Sequence, residues 1–580
     1  MENRRFILIA LLGAVIFFIY QAWVKDFAPA ATAPVEAAAA PVTADEVPTG
    51  SAPATAAPAA AAASTDAAAP AKPAASGARI RVQTDVVIAD ISLAGGELRR
   101  VELVGYPVAK DQPNNNFALL NDQGQNFFVV QSGLATPQSP LSGPQTEFTS
   151  ARNAYQLAEG ADTLDVPLDF VAADGSTLRK TYRFKRGSYD IELLQSVKNG
   201  GAAELAVSPY VRMWRTPPPD SGSHHMGIST FTGLAFYEQK PDSTNYRFKK
   251  HKFDDLEKEP VNAKQQGGWI AMLQHYFVAA VIPPAGETNT FTAKPSSTRG
   301  FLGQYVGSAA AVAPQAQHEF STHLYLGPEL QDGIGTHKAG DGLGFFKLHG
   351  LNEIAPGLEY TIDYGILTVI AEPLFWLLKK FHTLTGNWGF AIILLTLSVK
   401  GLLFKLSEAQ YRSMAKMKKF APRIAELKER HGDDRERMSK EMMNLYKKEG
   451  FNPLAGCWPL LVQFPVFMGL YWVLLQSVEL RQAPFALWIN DLSAADPYFV
   501  LPVLFGVSMF VQQKLSGNTI ADPMQQKVMQ IMPIMMTAFF AFFPAGLVLY
   551  WFVSNLTGIT QQWYITRKLE KQDELRKAAA

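Results

Sequence analysis

Lys400 lies inside the apolar run AIILLTLSVKGLLFKL, residues 391–406. A lysine at the centre of a membrane helix costs about 2.5–3.5 kcal/mol on insertion scales, so it calls for a compensating use. Thr396 precedes it by one helical turn on the same face. Lys400 is about six residues, or about 9 Å, from one end of its helix, and Gln463 lies at a similar depth in the apolar run 456–477. In a later run, Tyr550, Ser554, Thr557 and Gln561 recur at i, i+4, i+7 and i+11, with Trp551, Asn555 and Gln562 on the neighbouring strip. These side chains offer one cation, amides, hydroxyls and aromatic faces. They suit hydrogen bonding and charge attraction, not covalent catalysis.

Polar groups at membrane depth face a bundle interior or a water-filled cavity. Gln512, Gln513 and Gln530 lie near the same ends of their segments as Lys400, whereas the opposite halves (GFAIILL, FMGLYWVLL, TAFFAFF, GLVL) carry little that is polar beyond Tyr471 and Trp472. This asymmetry predicts a wet groove open to one side and closed on the other. A channel would need polar lining throughout. The alternative for Lys400 is snorkelling to the interface, which Lys405, nearer the helix end, fits better. For Gln463 and Asn555 the alternative is ordinary hydrogen bonding between helices.

The elements that must hold these residues follow from hydropathy. Residues 1–25 contain the apolar stretch FILIALLGAVIFFIYQAWV after Arg4 and Arg5, read as a retained transmembrane anchor with a cytoplasmic N-terminus. Residues 26–79 are an Ala/Pro-rich linker. Residues 80–355 alternate apolar and polar positions around turn signals such as Asp174-Gly175, which predicts one large antiparallel β-sandwich beyond the membrane. Residues 360–384 are apolar but interrupted by Glu372-Pro373 and followed by Lys379, Lys380 and His382. Were they to span, the basic stretch 405–448 would fall outside, so an interfacial amphipathic helix with Trp376 at headgroup level is expected.

Five further spans follow within 385–566, at about 388–406, 456–477, 498–513, 526–543 and 545–565, the last two separated by the turn FFPAG. Six crossings return the basic tail, 567–580, to the cytoplasm. Several spans are short: 498–513 covers about 24 Å of a hydrocarbon layer about 30 Å thick, which predicts local thinning. Residues 407–450 between the second and third spans are charged and helix-forming, with a turn at His431-Gly432. They predict a two-helix cytoplasmic hairpin, either a docking element or a charged loop that sets topology.

The net charge of +1 gives no reason to expect a nucleic-acid partner. Cys457 is the only cysteine, so no intrachain disulfide forms. No Walker-type loop, HExxH, Gly-x-Ser-x-Gly or CxxC is present, so neither a cofactor nor a metal is expected. An enzymatic reading would draw on His224, His225, His275, His323, Glu257 and Glu353 in the β-domain, but no spacing assembles them.

The segments NWGFAIILLTLSVKGLLFKLSEAQYRSMAKM, NPLAGCWPLLVQFPVFMGLYWVL, SVELRQAPFALWINDLSAADPYFVLPVL, DPMQQKVMQIMPIMM and FFPAGLVLYWFVSNL resemble the YidC/Oxa1/Alb3 family of membrane protein insertases, most closely its Gram-negative branch. The resemblance is close over about 360–570, and the order of anchor, linker, β-domain and core agrees along the whole chain. It implies a multi-pass α-helical membrane protein with a five-helix insertase core and a large periplasmic β-sandwich of the supersandwich type, akin to sugar-mutarotase folds. It implies insertion of newly made proteins into the bacterial inner membrane, alone or beside the Sec translocon, with contacts to lipid and to the ribosome and targeting factors through the hairpin and tail. The family's positive groove residue, often arginine, corresponds to Lys400, which keeps the charge but loses the planar fork. Its polar groove positions correspond to Gln463 and Asn555, and its aromatic contacts to Tyr550 and Trp551.

Overall fold

The computed structural model describes residues 78–218, 231–240, 245–331, 354–362, 364, 367–431, 458–516 and 523–579, with part of 437–445. The N-terminal anchor, the linker up to residue 77, Cys457, Gly432 of the expected hairpin turn, and His224, His225 and Glu353 lie outside the described residues, and the β-domain begins with Arg79 rather than residue 80.

Alternating side chains build the β-domain. Strands β7 (Thr163–Val171) and β8 (Thr177–Lys185) bury every second residue over much of their length and pair antiparallel from Thr163↔Lys185 to Val171↔Thr177. Their turn is the one the sequence predicts: Gly175 takes φ +83° and Asp174 Oδ1 accepts from the Ser176 N–H at 2.9 Å. The stretch WIAMLQHYFVAAVIPP folds back on itself as β14 (Trp269–Gln274) and β15 (Phe277–Ile282), turning at Tyr276 with φ 73°.

Nineteen described strands from Arg79 to Pro328 form two sheets, one of eleven strands and one of eight. All pairs are antiparallel except β1 (Arg79–Gln83) with β6 (Ala154–Gln156). Residues of both sheets, among them Ile80, Leu98, Tyr182, Ile191 and Trp269, meet in one apolar core. A charged centre is buried in the same domain. Lys180 Nζ donates to the carbonyls of Gly95 and Ser132, each at 2.8 Å, and to that of Gly96 at 3.3 Å. Nearby, Glu97 accepts from Gln131 Nε2 at 2.8 Å and pairs with Arg99 at 2.5 Å. Burial pushes the Lys180 ammonium down to about 7, against the pull of Glu97. Lys180→Met takes a buried donor from the Gly95 and Ser132 carbonyls, leaves Gly96 with the Tyr182 hydroxyl at 2.7 Å, and removes a cation beside Glu97. It is expected to lower the stability of the β-domain by about 3–5 kcal/mol, read by chemical unfolding.

The helical part begins after the short β-domain helix α1 (Phe253–Lys258). Helix α2 (Thr368–Thr385) buries Ala371, Leu374, Phe375 and Leu378, the i, i+3, i+4, i+7 stripe of an amphipathic helix, and ends at Gly386 with φ 65°. It starts later than position 360 because Leu358–Thr361 form a 3-10 turn instead. Helix α3 (Trp388–Leu402) is followed at a 64° bend by α4 (Phe404–His431). The expected second span, about 388–406, is therefore broken at Leu403 into two helices. Then come α5 (Trp458–Gln476), α6 (Val500–Ser516), α7 (Pro523–Phe540) and α8 (Ala545–Ala579). Residues from α2, α3 and α5–α8 share a second apolar core.

Among the described residues no single helix is long and apolar enough to cross a membrane; the bent pair Trp388–Leu402 and Phe404–Ser413 passes that test together. Many of the apolar helices are short, and α8 runs its 35 residues, about 52 Å, from an apolar start into the basic tail.

Candidate functional site

Three helices bring the sequence-derived polar residues together. Lys400, in the last turn of α3, donates from Nζ to Gln463 Oε1 on α5 at 3.2 Å. Gln463 Nε2 donates to Ser554 Oγ on α8 at 3.2 Å. Gln561, two turns further along α8, donates to the Lys400 carbonyl at 3.4 Å. Both the side chain and the backbone of residue 400 are thus tied to neighbouring helices. Lys405 behaves differently: its side chain is 91 % exposed and lies 3.8 Å from Glu408.

A second link joins α8 to α6, where Asn555 Nδ2 donates to Ser508 Oγ at 2.9 Å and that hydroxyl donates to the Phe505 carbonyl at 2.6 Å. Three expected residues make none of these bonds. Thr396 is fully buried and its hydroxyl donates to the Ile392 carbonyl of its own helix at 2.7 Å. Tyr550 is 1 % exposed within the apolar core. Trp551 packs against Phe467, Phe540 and Phe505, with ring centroids 4.9, 5.7 and 6.1 Å away. Tyr471 and Phe543 extend this cluster of rings through Phe467 and Phe540. Sequence reasoning passed over Ser508, although a lone hydroxyl in VLFGVSMFV is the same kind of signal that Gln463 gave.

On its outer flank the α6–α7 pair exposes Val503, Val507, Phe510, Ile531, Ile534 and Met535, an apolar surface for lipid or for another apolar helix. The residues of the enzymatic alternative do not converge where they are described. His323 bonds Asp190 at 3.0 Å and pairs with Ile282, whereas His275 lies at the other end of the same ladder, 2.8 Å from the Leu475 carbonyl.

Comparison with known proteins agrees along the whole length. The family described as YidC periplasmic domain matches residues 79–377, and that described as 60Kd inner membrane protein matches 380–572. A protein of Methylococcus capsulatus named membrane protein insertase YidC is 43% identical over 98% of this chain and 99% of its own. One of the same name from Nitrosococcus oceani is 42% identical over 99% and 100%.

The chain belongs to the YidC family of membrane protein insertases.

A YidC insertase crystal structure with its first transmembrane domain resolved covers 85% of this chain and 93% of its own, at 17% identity and a TM-score of 0.38. Membership in the YidC family makes this an inner-membrane protein with a periplasmic domain, and it is not an enzyme.

Proposed function

We propose that the protein receives the polar flank of a nascent membrane protein in a hydrated groove around Lys400, Gln463 and Asn555 and releases its apolar segment sideways into lipid. The observation that carries this reading is the chain Lys400–Gln463–Ser554, a cation and two polar side chains joined across three helices. Insertion needs no covalent step. Burying an apolar helix gains about 25 cal/mol per Å², and the obstacle is the polar flank, which loses its hydration in hydrocarbon. A groove that holds water lets the flank enter without full desolvation, and short helices thin what remains. Lys400 attracts acidic and carbonyl-bearing groups of that flank. Thr396, Tyr550 and Trp551 form the wall behind the groove, and the exposed α6–α7 flank is the exit.

In this reading the helices give six spans with the first in the undescribed N-terminus, both termini are cytoplasmic, and 360–384 lies at the interface. The hairpin 407–450 and the tail 567–580 meet the ribosome and targeting factors, and the Sec translocon is a partner for some substrates. The test is accessibility. With Cys457→Ser and Lys400→Cys in the full chain, a small polar thiol reagent is expected to react from the cytoplasm and poorly from the periplasm. A thiol inert from both sides removes the groove.

All the groove residues lie between 396 and 555, so the β-domain is an accessory. Deleting most of it while keeping 350–384 is expected to leave insertion largely intact; total loss in a stably expressed deletion contradicts this.

A further inference from the structure

The loop between α5 and α6 touches all three helices that carry the Lys400–Gln463–Ser554 chain. Helix α3 starts on it. Asn387 accepts from the Gly389 and Phe390 N–H groups at 2.8 and 3.2 Å, and its Nδ2 donates to the Phe485 carbonyl at 2.9 Å. A Cβ at Gly389 would stand 2.0 Å from Phe485 Cδ2, so only glycine lets α3 sit this close to the ring. Helix α8 starts on it too: the N–H groups of Ala545 and Gly546, first-turn donors with no partner inside the helix, donate to the carbonyls of Ala494 and Leu492 at 2.7 and 2.9 Å. Helix α5 runs into it at Ser477, whose hydroxyl donates to the Val473 carbonyl at 2.6 Å.

The loop itself is braced. Asp496, 2 % exposed, accepts from Trp488 Nε1 at 3.0 Å and from the N–H groups of Tyr498 and Leu501 at 3.0 and 2.7 Å. Asp491 accepts from the N–H of Gln482 at 3.2 Å and from the hydroxyl of Ser493 at 2.6 Å.

We propose that this loop, residues 477–499, is the positioning device of the membrane site: it sets the axial register of α3, α5 and α8, with Asn387 as the positioning residue on α3. Lys400 and Gln463 lie about 20 Å along their helices from the loop, and Ser554 about 14 Å. A slip of one residue moves a helix by about 1.5 Å, enough to break a 3.2 Å contact between side chains on two helices. The inference rests on the proposed groove for its functional consequence, but register is measurable separately from insertion.

Asn387→Ser keeps a capping oxygen and loses the donor to Phe485. Asn387→Asp keeps the cap and sets a carboxylate against that carbonyl. Trp488→Phe removes a brace inside the loop without touching α3. Each is placed in the full chain in native membranes. The rate at which a thiol reagent modifies Lys400→Cys, in the Cys457→Ser background, reports register; insertion is measured separately with Lys400 in place. A several-fold change in that rate is expected, with no change for a Lys405→Cys control, together with a several-fold fall in insertion of substrates with charged tails. A changed rate with normal insertion upholds the positioning and removes the groove's role in insertion. An unchanged rate in every variant that accumulates overturns the inference, whatever insertion does.

Discussion

Lys400→Glu is expected to stop insertion of substrates whose translocated tails carry acidic residues. Lys400 Nζ is the cation of the three-helix network. Replacing attraction by repulsion at about 4–8 Å shifts the interaction by about 4–8 kcal/mol at an effective dielectric of about 20, and each 1.4 kcal/mol or so is tenfold in rate. Lys400→Arg keeps charge and reach, and Gln463 Oε1 remains an acceptor, so it is expected to insert normally. Lys400→Ala falls between the two and harms substrates with acidic tails most. The measurement is protease protection of a substrate set that differs only in tail charge. Normal insertion of every substrate by Lys400→Glu reduces the lysine to a structural cation.

Deleting 412–446 behind a short linker is expected to remove most insertion while leaving the bundle assembled. The apolar core of α2, α3 and α5–α8 draws on almost nothing in that segment, so loss of activity would report loss of substrate reception rather than unfolding. Yet α4 carries Arg412, held to Glu408 at 2.7 Å, and Tyr411, whose hydroxyl stands 3.2 Å from the position a Cβ on Gly558 would take. A linker beginning at 412 spares Tyr411 and its packing against α8. Unchanged insertion with the shortened hairpin would leave 407–450 as a topology signal alone.

The parts legible in the sequence are those governed by local periodicity. The β7–β8 hairpin follows from alternation and from Asp174-Gly175, because few residue pairs fit that turn. The amphipathic stripe of α2 follows from apolar residues at helical spacing. The groove candidates Lys400, Gln463 and Asn555 stood out because a polar group in an apolar run is costly wherever the chain takes it.

Which polar residue meets which was a tertiary matter. Thr396 and Lys400 share a face by spacing, yet a threonine hydroxyl can satisfy itself on its own helix, and Thr396 does so. The Lys400 ammonium instead crosses to Gln463 on the neighbouring helix. Ser554 and Asn555 are neighbours in sequence, but 100° of helical rotation sends one to α5 and the other to α6. The loop 477–499 carries no periodic signal. Its contacts with the starts of α3 and α8 join residues about a hundred or about fifty positions apart, and only the packed bundle brings them together.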